Sequence, residues 1–341
     1  MLQGGFSGSR QGGTLRGSKN AQMITRRGFL FTAALAPAFA ANGGTMTHKQ
    51  RVDRALKGAD VDRPPFSFWH HFGLQNDPPE KFAAATIDFH RRFRTDLVKV
   101  MSDFPYPKPE REWTAVQVSE NPFPAQIRAL ELIRDAVGSD AYFVETIFNP
   151  YKVAENLSSA HDVVEMMTAK PQQLRDALEV IAQSEANHAR RAIAAGASGI
   201  FLAIANADSD VMSEPDYAKF SEPFDRIVLA AVKDAPLNVL HLHGDHVYLN
   251  RFTSRWPVAA INYSAHGTRV PLAAMRRKYN GVLMGGLDEK NYRELTEDRL
   301  RDQWMSAQRD AGKKFILAPG CSVPNDSTDA ELSRLPKLLN S

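Results

Sequence analysis

From Met46 onward, apolar and polar residues follow two alternating rhythms. Short, almost continuous apolar runs stand at Pro65–Trp69, Asp96–Met101, Tyr142–Phe148, Ser198–Ala203, Asn238–Leu242, Val258–Tyr263, Gly281–Gly285 and Lys314–Ala318. They are rich in Val, Ile, Leu and Phe and bounded by Gly, Pro, Asn or Asp, the pattern of strands buried on both faces. Between them, apolar positions recur at helical spacing, as in Pro171–Ala195 with Leu174, Leu178, Ile181 and Ala192. Ser213-Glu214-Pro215 and Thr296-Glu297-Asp298 each open a helix with a capping hydroxyl, and Gly196 and Gly312 end two helices before strands. Eight strand–helix units in one chain predict an α/β protein built as a single closed (β/α)8 barrel. An open doubly wound sheet would carry a Gly-rich phosphate turn after its first strand. That place reads Trp69-His70-His71-Phe72-Gly73.

Composition changes this picture only at the start of the chain. The 341 residues are 43% hydrophobic and 24% charged, which excludes disordered and collagen-like classes. The formal charge of +3 comes from the first 40 residues, where Arg10, Arg16, Lys19, Arg26 and Arg27 stand without an acid. The remainder carries more acid than base, so nothing points to nucleic acid. Thr25-Arg26-Arg27-Gly28-Phe29-Leu30, an apolar core over 31–36 and Ala38-Phe39-Ala40 have the order of a twin-arginine-type signal peptide. This predicts an exported, periplasmic protein with a leader and linker over residues 1–45 and a barrel domain over 46–341. A start at Met46 would instead leave the product in the cytoplasm. No run is long enough for a stable membrane span, and the single cysteine, Cys321, excludes an internal disulfide.

Barrel enzymes place their chemistry at the C-terminal ends of the strands. The residues there are His70 and His71, Ser102 and Asp103, Asn149, Asn206, His243 to Asp245, Ser264 to His266, Asp288, and Gly320-Cys321. His241 and His243 are two apart on one strand and share a face. With Cys321 they form a three-ligand set for Zn²⁺ with one position open, the arrangement of a catalytic site. Asp245 or Asp288 would orient a ligating imidazole. The plainer alternative is that the histidines hydrogen-bond within a polar mouth while Cys321 fills space. His241 to His246 also spells H-x-H-x-D-H, but such a metallo-hydrolase site needs further histidines well downstream, and only His266 follows. Asp103 is a candidate acid/base, and Lys99 with Glu145 reads as a buried pair or network near the barrel axis. Trp69, Phe72, Phe104, Tyr106 and Tyr263 are candidates to line the mouth.

Several segments together resemble the uroporphyrinogen decarboxylase superfamily. They are Lys49 to Leu56 followed by Asp62-Arg63-Pro64-Pro65, Asp96 to Asp103, Phe148-Asn149-Pro150, His241 to Asp245, Gly285 to Asp288, and Phe315 to Cys321. The resemblance implies a (β/α)8 barrel and one of two activities. The decarboxylase branch works on porphyrinogens without a cofactor, using an aspartate at the position of Asp103 and arginines soon after the first strand. Here His70 to Gln75 contains no arginine, Asn156 falls near the family tyrosine, and Gly320 near the late histidine. The second branch comprises zinc-dependent corrinoid methyltransferases that bind metal through His-x-Cys and a distal cysteine. His241-x-His243 and Cys321 in a Pro-Gly-Cys setting are similar to that branch. The resemblance implies Zn²⁺ on His241, His243 and Cys321, a small thiol or methylated substrate, and a corrinoid or tetrapyrrole as substrate or as cofactor of a partner protein. Asp103, Asp245 and Asp288 would serve catalysis, and His70, His71, Asn149, Tyr263 and His266 would contact substrate. Cofactor-free decarboxylation and non-catalytic tetrapyrrole binding are the alternatives.

Overall fold

The computed structural model describes residues 45–340. The expected leader lies outside the described residues, Thr45 excepted. Seven strands form one parallel sheet in chain order: β1 (Leu97–Val100), β2 (Tyr142–Phe148), β3 (Ile200–Ile204), β4 (Val239–Leu242), β5 (Ala260–Tyr263), β6 (Val282–Leu287) and β7 (Phe315–Pro319). Each strand pairs with its chain neighbours, and helices run between most of them. Consecutive parallel order with helical crossovers curls the sheet into a TIM-like α/β architecture.

The first expected strand differs. Pro65–Trp69 makes one parallel bridge, Phe66 to Leu317, instead of a ladder. Pro64 and Pro65 have no N–H to donate, which limits its pairing. Ser67 N donates to Leu317 O at 3.0 Å, and Asp96 N donates to Phe66 O at 2.9 Å. The segment thus bonds β7 on one side and the residue before β1 on the other. Buried Asp96 secures this junction, accepting from His48 Nδ1, Arg51 Nη1, Arg63 Nη1 and the Phe66 N–H at 2.5–3.1 Å.

The helix stops and starts follow local chemistry. Ser213 and Thr296 accept from the N–H groups of Asp216 and Arg299 at the starts of Glu214–Phe220 and Glu297–Ala311. Pro171–Ala194 runs 24 residues and buries Leu174, Leu178 and Ile181. No helix among the described residues is long and apolar enough to cross a membrane. Alternation along the strands sorts the core into two clusters. Leu240, Leu242, Ile261 and Tyr263 pack with the helices. Val239, Ala260, Met284 and Ile316 pack in a second cluster with Trp69 and Phe201.

Candidate metal centre

His241 lies near the C-terminal end of β4, His243 just beyond it, and Cys321 just beyond β7. Their ligand atoms lie within 4.8 Å of one another. Cys321 Sγ is 3.4 Å from His243 Nδ1. Zinc–ligand bond lengths and tetrahedral angles call for about 3.5 Å between such a sulfur and nitrogen. The donor set therefore suits Zn²⁺ in both chemistry and spacing.

Two glycines let the chain reach these positions. A Cβ on Gly320 would come 2.2 Å from Ser264 Cα, so only glycine permits the close approach that delivers Cys321. Gly244, directly after His243, has φ +125°, and a Cβ there would strike the Asp208 carboxylate.

Burial opposes ionisation of Cys321, but hydrogen bonds and positive charge from His241 and His243 prevail and push its pKa down to about 4. The same hydrogen bond raises His243. These opposite shifts favour a thiolate–imidazolium pair, whose proton a metal would displace.

Asn262 orients His241, a role expected of Asp245 or Asp288. It sits beside His241 in the β4–β5 register and is fully buried. Its Nδ2 donates to Met284 O and Pro319 O, both at 3.0 Å, which leaves Oδ1 to accept from His241 Nδ1 at 2.6 Å. The Nδ1 proton is thereby fixed toward Asn262, which leaves Nε2 as the nitrogen that would meet a metal once it gives up any proton shared with Cys321. Sequence reading passed over Asn262 and chose its neighbour Tyr263. The period of two was the available signal, since Asn262 shares the face of Val239 and His241 while Tyr263 faces the helices.

Two cavities open at this end of the sheet. One of about 570 Å³ is lined by His243, Asp245, Ser264, Glu289, Lys290 and Cys321. The other, of about 840 Å³, includes His71, Asp103, Phe104, Tyr106 and Glu185. Asn325 borders both, and its Oδ1 accepts from the His71 N–H. Beneath them Lys99 is nearly buried, its ammonium over the rings of Trp69 and Phe201 and 2.9 Å from Met101 Sδ. Burial lowers its pKa to about 8, partly offset by the charges of Cys321, Asp103 and Glu145.

Residues 104–339 match the family model described as uroporphyrinogen decarboxylase (URO-D). The chain belongs to the uroporphyrinogen decarboxylase family. Over 143 residues it is 27% identical to the methylcobamide:CoM methyltransferase MtaA of Methanosarcina barkeri. That alignment covers 41% of this chain and 41% of the relative, so the match spans under half of either protein. Among solved structures, a methyltransferase from Methanosarcina mazei superposes with TM-score 0.71 at 18% identity, covering 87% of this chain and 99% of that one. A putative vitamin-B12-independent methionine synthase from Listeria monocytogenes superposes with TM-score 0.50 at 10% identity, covering 89% and 98%. At these identities the structural likenesses speak to fold.

Within this family member the remaining expected site residues are dispersed. His71 and Asp103 meet, Nδ1 donating to Oδ1 at 2.7 Å, in the larger cavity. His70 turns instead to the His71 carbonyl and packs on Phe72 and Phe89. Asn149 is fully buried and donates to Asn206, Ser221 and Asp225, a network that joins helices to the sheet and lies away from both cavities. Tyr263 donates to Val270 O on the helix side. His266 meets Gly286 O in a separate pocket with Arg269 and Leu272. Asp245 pairs with Lys290 at 2.6 Å on the rim, and Asp288 caps the turn at Asn291. His246 pairs with Asp210 at 2.8 Å. Lys99 and Glu145 do not form the expected ion pair, because Glu145 is already engaged by His188 Nε2 and Gln126 Nε2, each at 2.9 Å.

Proposed function

We propose that this chain is a metal-dependent methyltransferase in which His241, His243 and Cys321 hold Zn²⁺. A small thiol, or a similarly soft group, would be the acceptor, and a corrinoid-borne methyl group the donor. The observation that carries this reading is the convergence of two imidazoles and one thiolate within 4.8 Å at the strand ends. The methyltransferase names among the relatives support it. When bound, Zn²⁺ would fill its fourth position with the acceptor and favour the acceptor's anionic, nucleophilic form. The chain's own residues prepare that site. Asn262 holds His241 by its Nδ1, leaving Nε2 for the metal, and Gly320 brings Cys321 within reach of His243. Lys99, buried over the rings of Trp69 and Phe201, interacts with Cys321 through charge.

Protein purified without chelator should contain about one zinc per chain. Cys321→Ala should lose both the metal and methyl transfer from methylcobalamin to a small thiol. Metal-free wild-type protein that performs the transfer would overturn the proposal. Decarboxylation of uroporphyrinogen by Cys321→Ala would replace it with the cofactor-free activity that gives the family its name. Saturable binding of a tetrapyrrole or corrinoid without any product would identify a binding protein.

We also propose export on the strength of residues 25–40 alone. Cell fractionation of the full chain and of an Arg26→Lys/Arg27→Lys variant tests it. Periplasmic recovery that is lost in the variant is the expected result, and cytoplasmic recovery of both would refute it.

A further inference from the structure

The larger cavity carries two carboxyl groups whose hydrogen-bonding capacity the fold leaves unmet. Asp103 follows β1, its side chain is 6% exposed, and its Oδ1 is taken by His71. Its Oδ2 is buried and has no partner. Glu185, on Pro171–Ala194, is 1% exposed, and its Oε2 has no partner either. Unmet buried oxygens of this kind carry a desolvation cost that a ligand could relieve. Burial, reinforced by the negative charge of Glu145, keeps the Glu185 carboxyl well above the usual carboxylate range.

The surrounding wall is aromatic. Phe72, Phe104, Tyr106, Phe123 and Phe148 all line the cavity. Its basic members are Lys108 and His71, the latter committed to Asp103, and it contains no arginine. A carboxylate or phosphate ligand would lack the forked donors that such groups require. A buried carboxyl with a free oxygen in a cavity lined by aromatic residues instead suits a cation clothed in alkyl groups.

We propose that this cavity binds an alkylammonium cation, its charge facing the free oxygen of Asp103 and its alkyl groups against the aromatic wall. The proposal uses none of the three metal-binding side chains, so it stands or falls independently of zinc.

Calorimetric titration of the full chain with choline and with its uncharged carbon isostere, 3,3-dimethylbutan-1-ol, tests it. Choline should bind about tenfold or more tightly than the isostere, the scale of a desolvated cation–π and charge interaction. Asp103→Asn should remove most of that preference, and Glu185→Gln, which keeps the shape, should leave most of it in place. Phe104→Leu should weaken choline and leave the isostere little changed. Cys321→Ala should retain the preference whatever becomes of the metal. Equal affinity for the two probes, absence of binding by both, a preference that survives Asp103→Asn, or one lost in Cys321→Ala would each overturn the proposal.

Discussion

Placed between two backbone carbonyls and an imidazole, the Asn262 amide has one satisfying orientation, because its NH2 group must face the carbonyls. That orientation fixes the Nδ1 proton of His241, so a side chain that touches no metal governs which ring nitrogen would meet one. Asn262→Leu should fill the space and remove the orienting bond. Zinc affinity, measured by competition with a chromophoric chelator, should then fall roughly 10- to 100-fold, the range for loss of an outer partner. Unchanged affinity would mean that packing against Phe201 alone positions the ring, since the two rings stack at 5.0 Å.

At the scale of elements, the site depends on two strand ends separated widely in sequence but held at one rim. β4 supplies His241, and the turn beyond it supplies His243. β7 ends at Pro319, and Gly320 then passes over Ser264 closely enough to seat its N–H on Glu289 Oε2 at 3.1 Å. Because the contact is backbone to backbone, no side-chain rotation relieves an added methyl. Gly320→Ala should displace Cys321 and destabilise the protein by about 1–3 kcal/mol, as overpacking does. Zinc stoichiometry and thermal melting, read together, check this. A variant that melts normally and still binds zinc tightly would show the loop to be adaptable.

For the whole molecule, the critical junction is where Pro65–Trp69 lies between β7 and β1. Asp96 joins the helix His48–Lys57, the Arg63 turn and the Phe66 backbone to that junction. Burial opposes its charge, but the His48 hydrogen bond and Arg63 hold its pKa below the ordinary carboxylate range. A lowered folded-state pKa stabilises at pH values above the unfolded one and stops doing so as acid protonates the folded carboxylate. Neutral pH should therefore retain the full contribution, with progressive loss below about pH 4. Asp96→Ala strands Arg51 and Arg63 with reduced compensation and should cost about 3–5 kcal/mol in denaturant unfolding. Its stability should also depend less on pH in the acid range than that of the wild type. A small effect with the same acid slope would show that the junction is held by packing.

Periodicity alone determined the α/β class, the positions of seven strands and the placing of His241, His243 and Cys321 at strand ends, because strand alternation and strand-end position are local properties, whereas their meeting at one rim required the TIM-like curl of the sheet. Local caps were legible for the same reason, at Ser213 and Thr296. Tertiary structure decided the rest. Asn149 and Tyr263 stand near strand ends as site residues do in sequence, yet Asn206, Ser221 and Asp225 claim the hydrogen bonds of the first and the Val270 carbonyl that of the second. Glu145 went to His188 and Gln126, leaving Lys99 among rings, because partner choice depends on which helix packs behind the strand. Asn262 and Glu185 acquired their significance only when elements far apart in the chain met, since register and burial are set by packing across the sheet.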